Sequence, residues 1–260
     1  MTFQAGIRVS INAQELSRCA AEQFVYLAVE AQRGKGLFTV ALAGGSTPKT
    51  LYELLGDENE PYRSQLCWEK IHFFWGDERH VPTDHPDSNY RMASEAMLSK
   101  VPLPARNIHR IKSEVDDAHE VAANYEQTLC EFFGLAVGEF PRFDLLLLGM
   151  GPDGHIASIF PYSDVINEKR RLVIATRIEK FKSYRITLTP PVLNNAAFVT
   201  FLVSGTTKAK ALREVLEGDY YPTRFPAQLI RPTTGNLSWL VDCEAAQLTE
   251  SACLPDCQLD

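Results

Sequence analysis

Short, almost continuously apolar runs alternate with amphipathic stretches along this chain, and this alternation limits the folds that it can adopt. Five runs have the length and composition of buried strands: residues 37–43, 71–75, 143–148, 198–203 and 237–241. Strands without a polar face are typical of parallel sheets that helices cover on both sides. The alternation therefore predicts an α/β fold with a mainly parallel central sheet.

The segments between these runs have the periodicity of helices. In two of them apolar residues recur every three or four positions: Leu16, Ala20, Phe24 and Leu27, and then Val121, Tyr125, Leu129 and Phe132. Two further helices are expected to begin near Pro48 and Thr206. No internal repeat and no linker rich in proline or serine divides the sequence, so we expect a single domain over residues 1–260.

Composition argues against several classes of protein. The net charge of −7 disfavours nucleic acid as the main partner, since a phosphate backbone binds to a basic surface. The longest apolar runs are too short to cross a bilayer, and residues 1–20 lack the pattern of a signal peptide. We therefore expect a cytoplasmic protein, a monomer or small homo-oligomer, that binds neither nucleic acid nor membrane.

The six cysteines are scattered and do not suggest a disulfide framework. Cys253 and Cys257 are four residues apart, but no matching pair of histidines or cysteines accompanies them. Free thiols are therefore expected near the C-terminus in preference to a metal site.

Polar and glycine-rich segments directly follow four of the predicted strands. They comprise residues 44–47, 76–79, 149–155 and 204–208. In open parallel sheets, ligands bind at the carboxyl ends of the strands. We therefore expect the four segments to form one site.

The first segment predicts a turn that enters a helix. Gly44 and Gly45 allow the backbone to approach a ligand closely, whereas Ser46, Thr47 and Pro48 are typical of a helix N-terminus. Free N–H groups and the helix dipole favour a phosphate at such a position. Neither a Walker loop nor a GxGxxG motif is present, so a nucleotide is not indicated. A well-capped turn without a ligand is the alternative.

The segment around Lys208 repeats this pattern on another strand. Ser204 and Gly205 are expected to turn the chain, and Lys208 follows in the first helical turn. A lysine at a helix N-terminus is slightly unfavourable with the dipole, and a shared anion would offset that cost. A solvated lysine is the alternative for this segment taken alone.

Charged residues follow the apolar strand that ends at residue 75. Asp77, Glu78 and Arg79 could mark only the exit of the chain to solvent. A carboxylate and a guanidinium at the end of a strand can also orient a substrate and stabilise an oxyanion. Shortly afterwards, Ser88 is predicted to cap a helix, with Asn89 and Arg91 near the site.

The segment 149–155 carries the most specific pattern. Gly149, Gly151 and Gly154 surround Asp153 and His155, which predicts a tightly turned loop beside the other three segments. An isolated histidine is usually structural or exposed. Here the loop would place an imidazole in the expected site, and histidine is the side chain best suited to accept and return a proton near neutral pH.

Together and in this order, the four segments resemble the 6-phosphogluconolactonase family, within a wider group that includes glucosamine-6-phosphate deaminase and ribose-5-phosphate isomerase. The similarity extends over residues 37–241, most of the chain. It implies a three-layer αβα, Rossmann-like fold with a mainly parallel central sheet. It also implies hydrolysis of 6-phospho-D-glucono-1,5-lactone to 6-phosphogluconate in the pentose phosphate pathway, without a metal or organic cofactor.

The resemblance further implies roles for individual residues. His155 would be the general base that activates water, Arg79 would stabilise the developing oxyanion, and Asp77 would orient substrate or base. The residues around the phosphate and sugar would be Gly44, Gly45, Ser46, Thr47, Asp153, Arg185 and Lys208. The absence of a GxSxG motif favours direct attack by water over an acyl-enzyme. Whether Asp77 or Asp153 supports His155 stays open.

The same group offers two alternatives. Aminosugar-phosphate deaminases typically have a glutamate five residues after the histidine and a tyrosine in place of Arg79. This chain has Phe160 and Arg79 at those positions, which disfavours ring opening. A sugar-phosphate sensor would normally carry a DNA-binding segment, and the first 36 residues predict one amphipathic helix without a basic helix-turn-helix.

Overall fold

The computed structural model describes residues 6–250, within which nine strands form two sheets. The strands are β1 Gly6–Ser10, β2 Phe38–Leu42, β3 Ile71–Trp75, β4 Asp77–Arg79, β5 Leu145–Leu148, β6 Val173–Ile178, β7 Ser183–Leu188, β8 Phe198–Val203 and β9 Asn236–Asp242. The larger sheet has the order β1-β9-β8-β5-β2-β3, and all its neighbouring strands are parallel. The smaller sheet, β4-β7-β6, is antiparallel.

Helices separate the parallel strands along the chain. They are α1 Ala13–Lys35, α2 Ser46–Gly56, α3 Tyr62–Gln65, α4 Asn89–Ala93, α5 Ala118–Phe133, α6 Pro190–Asn195, α7 Ala209–Leu216 and α8 Cys243–Ala246. A 3-10 turn, Thr206–Lys208, precedes α7, and a π-helical turn, Ser94–Leu98, follows α4. Every residue of β2 and β5 is buried, so both faces of the sheet are covered at its centre. The predicted three-layer α/β fold is confirmed.

The five strands expected from the apolar runs are all present. Residues 71–75 and 198–203 agree at both ends, and the other three differ by two residues at most. The sequence pattern missed β1 and the whole smaller sheet. Strands β1, β6 and β7 contain exposed or partly exposed residues, and β4 consists of three charged residues, so these strands lack a continuous apolar run.

The order of the strands reverses around β2. From β2 the chain passes through α2 to β3 on one side, whereas β5 lies against the other side of β2. Loops that leave two adjacent parallel strands in opposite directions open a crevice at the carboxyl ends. The crevice between β2 and β5 is therefore the expected ligand position in this sheet.

Two buried tyrosines hold the carboxyl ends of β2 and β3. The Tyr52 hydroxyl accepts a hydrogen bond from the Ala43 N–H (3.0 Å) and donates one to the Ala43 carbonyl (2.8 Å). The Tyr125 hydroxyl does the same with Trp75, at 2.9 and 3.1 Å. Each hydroxyl thus satisfies a buried donor and a buried acceptor where the chain leaves a strand.

The cysteines differ in one respect from the expectation. Cys19, Cys67 and Cys130 carry free thiols, whereas Cys243 is disulfide-bonded, a pairing that the scattered spacing did not suggest. Cys253 and Cys257, for which free thiols are expected, lie outside the described residues. No helix between residues 6 and 250 is long and apolar enough to cross a membrane.

Removing either tyrosine hydroxyl is expected to destabilise the fold. In Tyr52→Phe or Tyr125→Phe the ring still packs, but a buried N–H and carbonyl lose their partner, at a cost of about 1–3 kcal/mol in the free energy of unfolding. Urea denaturation measures this cost. Tyr220→Phe, where the side chain is 56% exposed, is the matched control and should change it by less than about 0.5 kcal/mol. Equal losses in the buried and control variants would contradict the assignment.

Candidate active site

A cleft opens at the carboxyl ends of β2, β5 and β8, beside β4. All four predicted segments contribute to its lining, which includes Gly44, Gly45, Ser46, Thr47, Asp77, Arg79, Gly149, Gly151, His155, Ser204 and Lys208. Of the two residues expected near the site, Asn89 also lines it and Arg91 does not. Two of the predicted site residues, Asp153 and Arg185, are not part of this lining. The expected convergence of distant segments on one cleft is therefore present.

His155 is held by Asp153. Its Nδ1 lies 2.5 Å from Asp153 Oδ1. Burial alone would raise the pKa of Asp153, but the hydrogen bond and the charge of His155 outweigh that effect and lower the pKa to about 2. An ionised carboxylate can only accept a hydrogen bond, so Nδ1 carries a proton, and in the neutral form of the ring Nε2 is the proton acceptor.

Phe160 covers one face of the His155 ring. The two rings are stacked, with centroids 4.2 Å apart and an interplanar angle of 23°. The sequence marks Phe160 only by its distance from the histidine, and the stacking itself was not predicted. The imidazole is thus fixed both by a hydrogen bond in its plane and by packing against its face.

Gly151 makes room for this arrangement. A Cβ built at Gly151 would overlap the Nδ1 atom of His155 and crowd the carboxylate of Asp153. The backbone closes the loop around the same point, because the Gly151 N–H donates to the His155 carbonyl at 2.8 Å. Gly154 has a φ of 79° and packs against Phe225, where a Cβ would lie 2.9 Å from the ring. The loop conformation therefore requires glycine at both positions.

Asp77 is buried in the cleft wall and is held by other partners. Its Oδ2 accepts a hydrogen bond from Ser158 Oγ at 2.6 Å, and its backbone carbonyl accepts one from Asn89 Nδ2 at 2.9 Å. Among the described residues, no hydrogen bond joins Asp77 to His155. The sequence left open which of the two carboxylates supports His155, and in the structure the one hydrogen-bonded to its ring is Asp153.

Glu78 points away from the cleft and organises the start of α4. Its carboxylate accepts hydrogen bonds from the N–H groups of Asn89 (2.7 Å) and Tyr90 (2.8 Å). Burial raises the pKa of Glu78, although these hydrogen bonds oppose the shift. Ser88 caps the same helix, as predicted, by accepting the Arg91 N–H at 3.1 Å. These contacts fix the helix that brings Asn89 to the cleft.

Arg79 and Arg185 lie opposite each other in the antiparallel pair of β4 and β7. Arg79 Nη1 donates to the Asp87 carbonyl at 2.5 Å and the side chain lines the cleft. Arg185 Nε is buried without a hydrogen-bond partner among the described residues. Burial and the positive charge of Arg79 lower the pKa of Arg185. Arg185 therefore stands next to Arg79, outside the lining that Lys208 shares with Ser46 and Thr47.

The two predicted glycine turns have nearly the same backbone conformation. Gly45 has φ 108° and ψ 169°, and Gly205 has φ 94° and ψ 151°. Positive φ values of this size favour glycine, as the sequence pattern implied. The first-turn N–H groups of α2, including those of Ser46 and Thr47, have no acceptor within the helix and are available to an anion.

Lys208 enters the cleft from the second turn. Burial lowers its pKa, and the nearby charge of Asp153 opposes that shift. Gly44, which begins the first turn, packs against Asn89, and a Cβ at Gly44 would overlap the Asn89 amide. The cleft thus combines a proton acceptor, a guanidinium and an anion-binding turn with a lysine.

Sequence reasoning missed Ser158 as a partner of Asp77. It stands in the apolar stretch after His155, where a lone serine among isoleucine, alanine and phenylalanine was the available signal. Within residues 6–250, no group of three or more histidine, cysteine, aspartate and glutamate side chains is placed to hold a metal ion.

Several known proteins are similar to this chain in sequence and in structure. Residues 11–239 match the family model described as glucosamine-6-phosphate isomerases/6-phosphogluconolactonase. A 6-phosphogluconolactonase of Synechocystis sp. is 46% identical over 217 residues, which cover 84% of this chain and 86% of that protein. The structure of 6-phosphogluconolactonase from Trypanosoma cruzi superimposes with a TM-score of 0.81 at 32% identity, over 95% of this chain and 97% of that one. A monomeric glucosamine-6-phosphate deaminase shares the fold, with a TM-score of 0.77 at 23% identity over 93% and 99% of the two chains.

Gly151→Ala is expected to separate His155 from Asp153, because the new methyl group overlaps Nδ1. The downfield Nδ1–H resonance of a short histidine–carboxylate hydrogen bond should be visible in NMR spectra of the wild type and absent from the variant. Gly34→Ala, at a position with nothing within 4 Å, is the control and should keep the resonance. Persistence of the resonance in Gly151→Ala would contradict this description of the loop.

Proposed function

The chain belongs to the family of glucosamine-6-phosphate isomerases and 6-phosphogluconolactonases, and we propose that it acts in this family as a lactonase. It hydrolyses 6-phospho-D-glucono-1,5-lactone to 6-phospho-D-gluconate, in the oxidative branch of the pentose phosphate pathway. The observation that carries the proposal is the cleft itself, in which His155, Arg79 and Lys208 converge beside the N-terminus of α2. The identity of 46% to a relative named 6-phosphogluconolactonase supports the same activity.

The reaction begins with a water molecule at His155. Nε2 accepts a proton from the water as its oxygen attacks the lactone carbonyl carbon, and Asp153 stabilises the imidazolium that forms. General base catalysis of this kind contributes about 10²–10⁴-fold to the rate. The hydrogen bond of 2.5 Å between Nδ1 and Asp153 fixes the tautomer that this step needs.

The attack places negative charge on the former carbonyl oxygen. The Arg79 guanidinium, anchored to the Asp87 carbonyl, is the group that would stabilise this oxyanion. The tetrahedral intermediate then collapses with cleavage of the bond to the ring oxygen, which takes the proton back from His155. The product is the open-chain acid, and atoms and charge balance without another reactant.

The phosphate would be bound at the other end of the cleft. The N–H groups of Ser46 and Thr47 at the start of α2 and the ammonium of Lys208 are the donors there. Because the phosphate is remote from the reacting carbon, its binding energy serves to orient the lactone. Arg185, next to Arg79, adds positive charge near the same cleft.

Asp77 would orient the sugar. Its carboxylate accepts a hydrogen bond from the Ser158 hydroxyl. Ser158 itself is buried and does not line the cleft, so its hydroxyl is not placed to attack a substrate there. Direct attack by water is therefore preferred to an acyl-enzyme. Phe160 packs an apolar ring against His155, so that position supplies no second acid for ring opening, as a deaminase would require.

His155→Ala is expected to lower kcat by about 10²–10⁴-fold while binding of 6-phosphogluconate survives, because the imidazole acts on water and not on the phosphate. The assay is hydrolysis of freshly generated lactone, corrected for spontaneous hydrolysis, with glucosamine 6-phosphate tested in parallel. His119→Ala, at an exposed histidine, is the control. Turnover like that of the wild type in His155→Ala would refute the role.

Lys208→Ala should mainly weaken affinity for phosphorylated ligands. Loss of a hydrogen bond to a charged group corresponds to a rise of about 10–100-fold in the dissociation constant of 6-phosphogluconate. Calorimetric titration measures it, and Lys210→Ala, two residues further along and exposed, is the matched control. If both variants bind as tightly as the wild type, Lys208 is not part of the phosphate site.

A further inference from the structure

Asp242, the last residue of β9, is a buried carboxylate that contacts the second glycine turn from outside the cleft. Only 2% of it is exposed. Its Oδ2 accepts a hydrogen bond from Ser204 Oγ at 2.5 Å, and both carboxylate oxygens lie 3.1 Å from the Gly205 nitrogen. Oδ1 also accepts the Ala245 N–H at 2.8 Å, at the start of α8.

We propose that Asp242 is a positioning residue that holds the turn of residues 204–208 so that Lys208 reaches the phosphate. The inference rests on the proposed function and deepens it. Strands β8 and β9 are neighbours, with Val203 paired to Val241, so Asp242 is the next residue beside Ser204. The carboxylate thus lies beside the point at which the chain leaves β8 and enters the turn.

The turn is built around a flexible residue. Gly205 adopts a positive φ, and the Lys208 N–H donates back to the Gly205 carbonyl at 3.0 Å. A glycine is free to adopt many conformations, so fixing one of them requires external contacts. Asp242 supplies contacts on both residues before the lysine, to the hydroxyl of Ser204 and to the N–H of Gly205.

The same contacts decide what the turn can offer to a ligand. The Ser204 hydroxyl and the Gly205 N–H both donate to Asp242, so neither proton is free for a phosphate. The contribution of this turn is then the Lys208 ammonium. Asp242 should consequently affect the binding of the phosphate and leave the His155–Asp153 pair unchanged.

Asp242→Asn tests this inference, because it keeps the size of the side chain and removes its charge. We expect the KM for the lactone and the Kd of 6-phosphogluconate to rise by about tenfold, as for a misplaced binding group. The kcat should stay within about twofold of the wild type, and its pH profile should not move.

Asp144→Asn is the matched control. Asp144 directly precedes β5, at the amino-terminal ends of the strands and so at the end of the sheet away from the cleft. Its carboxylate also accepts a backbone N–H and a hydroxyl, both of Thr39, at 2.7 and 2.9 Å. This variant should lose stability without a change in KM or Kd. Ser204→Ala provides a second test at the turn that leaves the contact with α8 in place, and it should raise the Kd by a smaller factor.

The outcomes separate the alternatives. Unchanged Kd and KM in Asp242→Asn, with a loss of stability like that of Asp144→Asn, would show a purely structural role and overturn the inference. If Asp242→Asn does not fold, an unchanged Kd in Ser204→Ala overturns it instead. A fall in kcat at unchanged Kd would also overturn it. A wild-type protein without lactone hydrolysis would contradict the proposed function, while the Kd measurements, which need no turnover, would still decide on Asp242.

Discussion

The reversal of strand order between β2 and β5 is the constraint on which the rest of the molecule depends. It brings the turn after β2 and the loop after β5 to the two sides of one crevice. Both strands are buried over their whole length, and the Tyr52 hydroxyl holds the backbone just beyond β2. The sheet therefore determines the distances between the groups in the cleft, and close packing keeps the sheet rigid.

Around the cleft, the carboxylates bind donors of the protein itself, whereas the cations are left to bind a ligand. The acidic side chains there are each occupied by donors of the protein: Asp77 by Ser158, Asp153 by His155, and Asp242 by Ser204 and Gly205. The cations and the first N–H groups of α2 are left for a ligand. A chain with a net charge of −7 can in this way present a local anion site, because its nearby carboxylates already serve as acceptors.

The sequence predicted those parts of the molecule that have a local pattern of residues. Strands buried on both faces appear as apolar runs, and the turns after them contain glycine and hydroxyl residues, so five of the six strands of the central sheet and most of the cleft could be inferred. The smaller sheet could not, because β4 is a run of three charged residues. The position of Arg185 opposite Arg79 follows from the register of that sheet, and the contact of Asp242 with Ser204 joins residues 38 apart across neighbouring strands. Such pairings depend on tertiary structure and leave no local pattern.

The stacking of Phe160 on His155 has a consequence for how protons enter and leave the ring. One face of the imidazole is covered by a phenyl ring and one nitrogen is bound to a carboxylate. With Nδ1 bound to Asp153, Nε2 is the ring nitrogen left to exchange protons with a water molecule in the cleft. A water molecule that His155 activates must therefore approach the ring from the side of Nε2.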